Sequence, residues 1–229
     1  KKTNLVINRN LSNKFRQFIE TICSLRDVDI SFTFLDDNFY NFENSSIPEF
    51  FNINKSIKIL KFFLEKIIVN IKIPEFKTKI YIRREDANYR KILNEADLID
   101  KLRKKGFEII NPQHFKILEQ MKIFSNADLI MTPHGSNLAN IIFCKPGTKI
   151  IEICPQLKNP YELNISKRYK DIAENLNLAF KQIEADSVDV DHHSELSIKY
   201  INKKILQNSN YYKNMILKVG KIEKIINNL

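Results

Sequence analysis

The sequence has 229 residues and a mass of 27.0 kDa, which is enough for one domain with a sizeable core. Hydrophobic residues make up 43% and charged residues 28%, an ordinary balance for a globular protein. No stretch reaches the roughly 18 to 20 uncharged residues of a membrane span. These values argue against a peptide, a tail or a membrane helix.

Glycine and cysteine are scarce. The four glycines are too far apart for a GxGxxG or GxxxxGK[ST] loop, so any phosphate site must be built from other groups. The three cysteines form no CxxC pair, which argues against a disulfide framework and a structural zinc site. A reducing compartment follows, and we predict a cytoplasmic protein.

The first 75 residues predict two strands and two helices. In chain order these elements cover residues 5–7, 12–25, 30–35 and 56–70. Pro74 follows the second helix and marks a boundary. Because the chain opens without an initiator methionine, we expect residues 1–75 to be the remainder of a longer N-terminal domain.

From residue 78, short β-rich runs alternate with helical patterns, which is typical of βαβ units around a parallel sheet. The predicted strands cover residues 79–83, 107–111, 128–132 and 149–153. Asn94 and Gly106 stand where a helix between the first two strands would begin and end. The sequence therefore predicts an α/β class protein with a Rossmann-like parallel sheet over residues 76–190.

The last third predicts a helix, a strand, a loop and further helical sequence. These cover residues 165–177, 178–183, 184–191 and 194 onward, and residues 191–229 are predicted as a C-terminal helical segment. Asp189-Val190-Asp191, followed by His192 and His193, resembles a metal-binding DxD. No strand frames that acidic loop, so we interpret it as an exposed connector and assign no metal.

Residues 128–140 predict a strand, a turn at Pro133 and the start of a helix capped by Ser136. Gly135 would let an anion approach the backbone, the helix end would contribute about half a positive charge, and His134 would add a donor. Ligands bind at such strand ends in open parallel sheets. The alternative is a tight turn beside a satisfied surface histidine, which local sequence favours.

Three arginines, Arg83, Arg84 and Arg90, crowd the end of the strand predicted over 79–83. Three guanidiniums suit a diphosphate, because each presents paired N–H donors to phosphate oxygens. The alternative is a solvated loop in which Arg84 and Arg90 pair with Glu85 and Asp86.

Together these residues resemble glycosyltransferase family 61, whose members transfer a sugar from a nucleotide donor to a glycan or protein-linked acceptor. The family pattern has an arginine closing a strand, a second arginine six residues later, an Asn-Glu pair, and HGxxLxN downstream. The matching positions are Arg84, Arg90, Asn94, Glu95, Gly106, Phe107, Glu119, Gln120, His134, Gly135, Leu138, Asn140, Pro146, Gly147 and Glu152.

The resemblance implies a GT-B architecture, with two Rossmann-like domains facing across a cleft and the donor held chiefly by the C-terminal one. It implies transfer with inversion, helped by a base and without a metal or other cofactor. Residues 1–75 would then belong to the acceptor-side domain. The family's His-Trp segment has no counterpart here, since Trp is absent.

The resemblance also implies roles for individual residues. Arg84 and Arg90 would neutralise a departing nucleoside diphosphate, which we expect to be UDP, while Glu95 and Asp86 are candidates for the base. Arg83 stands where the family usually has a small hydroxyl residue. The full set expected to bind the donor is Arg83, Arg84, Arg90, Asn94, His134, Gly135, Ser136, Asn137, Asn140 and Glu152, with Glu152 facing the ribose.

The expected partners are a nucleotide-sugar and a glycan acceptor, with no nucleic acid. A formal charge of +10 keeps open the alternative of a nucleic-acid-binding module, as does a structural protein that has kept the fold and lost catalysis. Lys199, Lys203 and Lys204 could also hold the protein peripherally on an anionic membrane, although a solvated helix face is the simpler interpretation.

Overall fold

A computed structural model describes most of the chain. The described residues are 3–10, 13–24, 29–36, 38–44, 57, 61, 64–65, 68, 71–72, 76–85, 87, 89–157, 160–189 and 209–228. They form two compact units, Lys1–Asn52 and Ile53–Leu229. The sequence placed a boundary at residue 75, and the acceptor-side and donor-side roles of the two regions stay a prediction.

The first unit contains a βαβ arrangement. Strand β1 (Thr3–Asn8), helix α1 (Asn13–Ser24) and strand β2 (Ile30–Leu35) follow in order, and the two strands pair in parallel. All three elements agree with the sequence prediction. The helix predicted over 56–70 lies largely outside the described residues, of which 57, 61, 64, 65 and 68 are helical.

The second unit is a mixed α/β structure. Its strands are β3 (Lys79–Ile82), β4 (Glu108–Ile110), β5 (Leu129–Pro133), β6 (Lys149–Pro155), β7 (Ala179–Val188) and β8 (Asn214–Ile216). Its α-helices are α2 (Glu95–Lys104), α3 (Ile117–Asn126), α4 (Pro160–Asn175) and α5 (Val219–Asn227), with 3-10 turns at Pro112–His114, Ser136–Phe143 and Asn210–Tyr212.

The six strands form one sheet in the order β4-β3-β5-β6-β7-β8. The first five run parallel and β8 joins β7 in the antiparallel sense, so the parallel strands predicted from residue 79 to residue 153 are confirmed. This order, in which β4 and β5 flank β3, is a doubly wound α/β order consistent with a Rossmann-like fold. Its switch point lies between β3 and β5, where such folds bind ligands.

Alternate strand residues bury both faces of this sheet. Tyr81 and Met131 pack in one cluster with Leu98 and Leu102 of α2 and Ile222 of α5. The intervening strand residues, such as Ile80 and Ile130, are equally buried and point to the opposite face. Burial of each such side chain stabilises the fold by about 1.5 to 3 kcal/mol. The strand ends at the switch point are therefore held by a well-packed core.

The C-terminal third differs from the prediction. Strand β7 continues to Val188 through the stretch predicted as an acidic loop, because its second half pairs with β8 and Asp186 meets Lys218 at 3.1 Å. Of the segment predicted as helical, residues 190–208 lie outside the described residues, and residues 214–216 are a strand before α5 begins.

Within the part of the chain that is described, no helix combines the length and the apolar character needed to cross a bilayer. The cytoplasmic location and the peripheral membrane association stay predictions.

Candidate functional site

The structure brings the arginine cluster and the glycine turn together at the switch point of the sheet. Arg84 follows β3, and Gly135 follows β5 at the start of the 3-10 turn Ser136–Phe143. A Cβ atom placed on Gly135 would lie 1.5 Å from Nη1 of Arg84 and 2.6 Å from its Cζ. The guanidinium of Arg84 therefore lies directly against the glycine backbone.

Gly135 is needed for space and not for its backbone freedom. Its φ of 169° and ψ of −179° are an extended conformation that other residues also adopt. A side chain here would occupy the position of the Arg84 guanidinium, so the glycine permits the close approach of that guanidinium.

Arg90 is the second arginine at this site, and its side chain is buried at 6% exposure. Its Cζ lies 4.7 Å from the ring centroid of Tyr89 and 4.5 Å from that of Tyr211, so aromatic faces hold the charge. The residue has a left-handed φ of 60°, which costs a non-glycine residue about 1 to 2 kcal/mol. The surrounding contacts must therefore hold this conformation in place.

Neither guanidinium has an anionic partner in the part of the chain that the structure describes. Among the described residues, Nε of Arg84 and both Nε and Nη1 of Arg90 are buried without a hydrogen-bond partner. Burial, and then the charge of Arg90, lowers the pKa of Arg84 to about 10, which still leaves Arg84 protonated at neutral pH. Two neighbouring cations, one buried and one half-buried, that carry buried N–H groups without a described partner form a site that an anion with several oxygens would complete.

His134 lies beside this cation pair, buried at 1% exposure, with both ring nitrogens engaged. Its Nδ1 contacts Glu152, and its Nε2 lies 3.0 Å from the hydroxyl of Tyr211. That hydroxyl accepts a hydrogen bond of 3.0 Å from Arg168. Because the carboxylate can only accept, Nδ1 carries the proton, and the Tyr211 hydroxyl then donates to Nε2.

The neutral state of His134 agrees with its surroundings. Burial lowers the pKa of His134, Arg90 and Arg168 lower it further, and Glu152 opposes them. Glu152 is fully buried, and its second oxygen accepts a hydrogen bond of 2.7 Å from Gln182. A continuous chain of hydrogen bonds thus runs from Arg168 to Gln182.

The contacts of His134 and Glu152 differ from those expected, and whether either residue binds a donor stays a prediction. His134 is neither a surface residue nor free to donate to a phosphate, because both its nitrogens are engaged with protein groups. Glu152 is likewise fully buried, and its two oxygens contact His134 and Gln182. In this arrangement Glu152 holds His134 and does not face a ribose. Their contribution to the site is to fix the turn that carries Gly135.

Comparison with known proteins is decisive at this point, because the family model "Glycosyltransferase 61" matches residues 9–151, more than half of the chain. The chain belongs to glycosyltransferase family 61. It is also 24% identical over 142 residues to the EGF domain-specific O-linked N-acetylglucosamine transferase of Drosophila melanogaster, covering 59% of this chain and 26% of that protein. The chain therefore spans about a quarter of the length of this relative.

Two asparagines of the family-61 pattern form structural hydrogen bonds. Asn94 precedes α2, donates to the backbone oxygen of Leu217 at 2.7 Å and accepts from the Leu217 amide at 3.0 Å. Asn140 donates to Gln120 at 3.1 Å, and Gln120 bonds the backbone around the turn Pro112–His114. Both asparagines join distant segments, and their predicted contact with a donor stays untested.

The Asn-Glu pair of family 61 also places Glu95 in a closed network. Glu95 accepts a hydrogen bond of 2.8 Å from the hydroxyl of Tyr81 and one of 3.0 Å from Nε of Arg83. Arg83 also pairs with Glu85, which accepts from Asn111. Burial, followed by the charge of Glu95, raises the pKa of Tyr81, so this hydroxyl stays a donor.

The structure says less about the remaining residues that the sequence predicted for the site. Ser136 is exposed and Asn137 is half-buried directly after Gly135, and Asp86 lies outside the described residues. Asp189 of the DxD sequence meets Lys213 at 2.9 Å, whereas residues 190–193 are not described. Within the described ranges no group of three His, Cys, Asp or Glu side chains could hold a metal. Metal independence stays a prediction.

Sequence reasoning missed several residues of this family-61 site, of which Tyr211 is the most central. Tyr211 lies 77 positions from His134, and Arg168 lies 43 positions from Tyr211. Neither belongs to a short motif, and both lie beyond residue 151, where the family match ends. A single sequence carries no signal that would place them beside Arg90.

Proposed function

We propose that this chain binds the nucleotide-sugar donor of an inverting, metal-independent glycosyltransferase of the GT-B type, and that the nucleotide is UDP. The observation that carries the proposal is the pair of adjacent arginines: half-buried Arg84 against Gly135 and buried Arg90 between two tyrosine rings, with buried N–H groups that no described residue satisfies. A diphosphate supplies the missing acceptors and two negative charges.

The same pair can assist the transfer itself. In the proposed step, an acceptor hydroxyl attacks the anomeric carbon, the bond from that carbon to the diphosphate oxygen breaks, and a base takes the hydroxyl proton. Negative charge then grows on the departing diphosphate. Arginines fixed in a water-poor site stabilise that charge more strongly than in bulk water, without any rearrangement during the step.

Of the two base candidates, Glu95 accepts hydrogen bonds from Tyr81 and Arg83, whereas Asp86 lies outside the described residues. Both stay candidates for the base. For the sugar, the named activity of the Drosophila relative makes N-acetylglucosamine the first donor to test and a protein the first acceptor. A glycan or polysaccharide acceptor is the next to test.

The test is calorimetric titration of the chain with UDP, a UDP-sugar and uridine. We expect Arg84→Ala to weaken UDP and the UDP-sugar alike by about 1.5 to 3 kcal/mol, the range for hydrogen bonds to charged groups, and to leave uridine unchanged. Arg103→Ala is the matched control, because Arg103 lies on α2 with a side chain that is 63% exposed.

Three results would contradict the proposal. Equal weakening of uridine and UDP by Arg84→Ala would make Arg84 a structural residue. A large loss of UDP affinity in EDTA would show that a metal is required. Salt-dependent binding of random oligonucleotides that UDP does not displace would favour the nucleic-acid-binding alternative.

A further inference from the structure

The segment from Ser209 to Leu217, which we call the C-terminal clasp, closes over the loop that carries Arg90. The amide of Lys91 donates to the Asn214 side chain at 3.0 Å. The amide of Met215 donates to the Lys91 oxygen at 2.8 Å, and the Leu93 amide donates to the Met215 oxygen at 2.8 Å. The clasp therefore holds the backbone directly after the left-handed Arg90.

Tyr211 is the clasp residue that reaches the donor site. Its side chain is buried at 6% exposure, its ring faces the Arg90 guanidinium at 4.5 Å, and its hydroxyl bridges Arg168 and His134 at 3.0 Å each. Its ring also packs edge-on against His134, with centroids 5.2 Å apart. One side chain thus contacts both a site arginine and the histidine of the glycine turn.

A buried guanidinium without a carboxylate partner needs another source of stabilisation, and a π face supplies it. Tyr89 provides one face from the same loop, and Tyr211 provides the other from the clasp. The unpartnered Nε and Nη1 of Arg90 are then left for a ligand. Tyr211 is thus the clasp ring that faces the guanidinium directly, at 4.5 Å.

We propose that Tyr211 is a positioning residue of the donor site, whose ring orients Arg90 toward the diphosphate. The inference rests on the proposed function, since it assumes that the anion at Arg84 and Arg90 is a diphosphate. It extends the site beyond residues 9–151, the part that the family model covers.

The test is a double-mutant cycle between Tyr211 and Arg90, read by UDP affinity. We expect Tyr211→Leu to weaken UDP about five- to thirtyfold, as for loss of a partly desolvated cation–π contact, and Tyr211→Phe to cost no more than about threefold because the ring remains. In the Arg90→Ala background, Tyr211→Leu should weaken UDP little further.

The control is Tyr169→Leu, which removes a ring of equal burial, 6%, that also packs against His134. Its effect on UDP should add to that of Arg90→Ala. If Tyr211→Leu does not fold, Tyr211→Met replaces it, because methionine fills the space without a π face.

Two outcomes separate the claims. The positioning role would be overturned by additive effects of Tyr211→Leu and Arg90→Ala on UDP affinity, or by a Tyr211→Phe variant that binds UDP as weakly as Tyr211→Leu. In either case, a loss of UDP affinity in Arg84→Ala would still support the donor site. UDP binding that is unchanged in Arg84→Ala, measured in the same series, would instead refute the proposed function.

Discussion

Gly135→Ala tests the closest contact of the proposed donor site. The added methyl would overlap the Arg84 guanidinium, since Nη1 lies 1.5 Å and Cζ 2.6 Å from the ideal Cβ position, while Nε lies 3.3 Å away. The end of a flexible side chain can move, and the extended backbone of residue 135 accepts alanine. The substitution should therefore displace the Arg84 guanidinium without unfolding the protein.

The magnitude follows from what the displaced group loses. If Arg84 donates to a phosphate oxygen, removing that bond costs about 1.5 to 3 kcal/mol, which is roughly 10- to 150-fold in the dissociation constant of UDP. The free energy of unfolding should change by less than about 1 kcal/mol, because no buried apolar contact is lost. Uridine, which has no diphosphate, should bind as before.

The assay is UDP titration of the wild type, Gly135→Ala, Arg84→Ala and the double variant, together with urea unfolding of each. Gly220→Ala is the control, because no atom lies within 4 Å of its ideal Cβ and it lies in α5. In the double variant, Gly135→Ala should add nothing to Arg84→Ala. A further loss of affinity there, or a large loss of stability, would show that Gly135 serves the turn and not Arg84.

Two further predictions concern stability. Burial lowers the pKa of His134 from its ordinary 6.5, so below that pH the unfolded state binds a proton more readily. The free energy of unfolding should therefore fall as pH decreases below about 6.5, by at most about 1.4 kcal/mol per pH unit, and His134→Gln should flatten that slope in thermal melts from pH 5 to 8. Asn94→Ala breaks both bonds to Leu217 and should cost about 1 to 3 kcal/mol in urea unfolding; unchanged stability with lost UDP binding would return Asn94 to the donor site.

Much of the parallel sheet could be predicted because its strands are short, apolar and separated by helical patterns. The runs that became β3, β5 and β6 are buried on both faces, so their sequences are almost continuously hydrophobic. The second half of β7 was missed because Glu184 and Asp186 resemble loop residues. Those side chains lie near the antiparallel edge of the sheet. There Asp186 pairs with Lys218 and Lys221, so a charged residue costs little stability.

Strand β8 could not be predicted because its pairing depends on distant residues. Its three residues Asn214–Ile216 are too few for a periodic pattern, and their surroundings read as a helix. Their partners are the end of β7 and the backbone at Lys91 and Leu93. The residues near β8 in the sequence do not indicate such a long-range pairing.

Within the candidate site, the sequence predicted which residues lie at the strand ends but not which groups saturate the hydrogen bonds of the buried polar residues. Arg84, Arg90 and Gly135 stand at strand ends that any parallel sheet brings together. His134 and Glu152 were given contacts with the ligand because residue type and position do not reveal which groups saturate their hydrogen bonds. Those groups, Tyr211 and Gln182, come from segments that share no motif with them.

The clasp also sets the order in which the site can form during synthesis. Asn94 and Leu217 are joined by two hydrogen bonds across 123 positions. The loop of Arg90 can therefore reach its final conformation only after residues 209–217 have left the ribosome. The β3 to β6 part of the sheet can assemble earlier from more local contacts. Nascent chains that stop before residue 209 would lack the Tyr211 ring and the clasp hydrogen bonds that support the Arg90 loop.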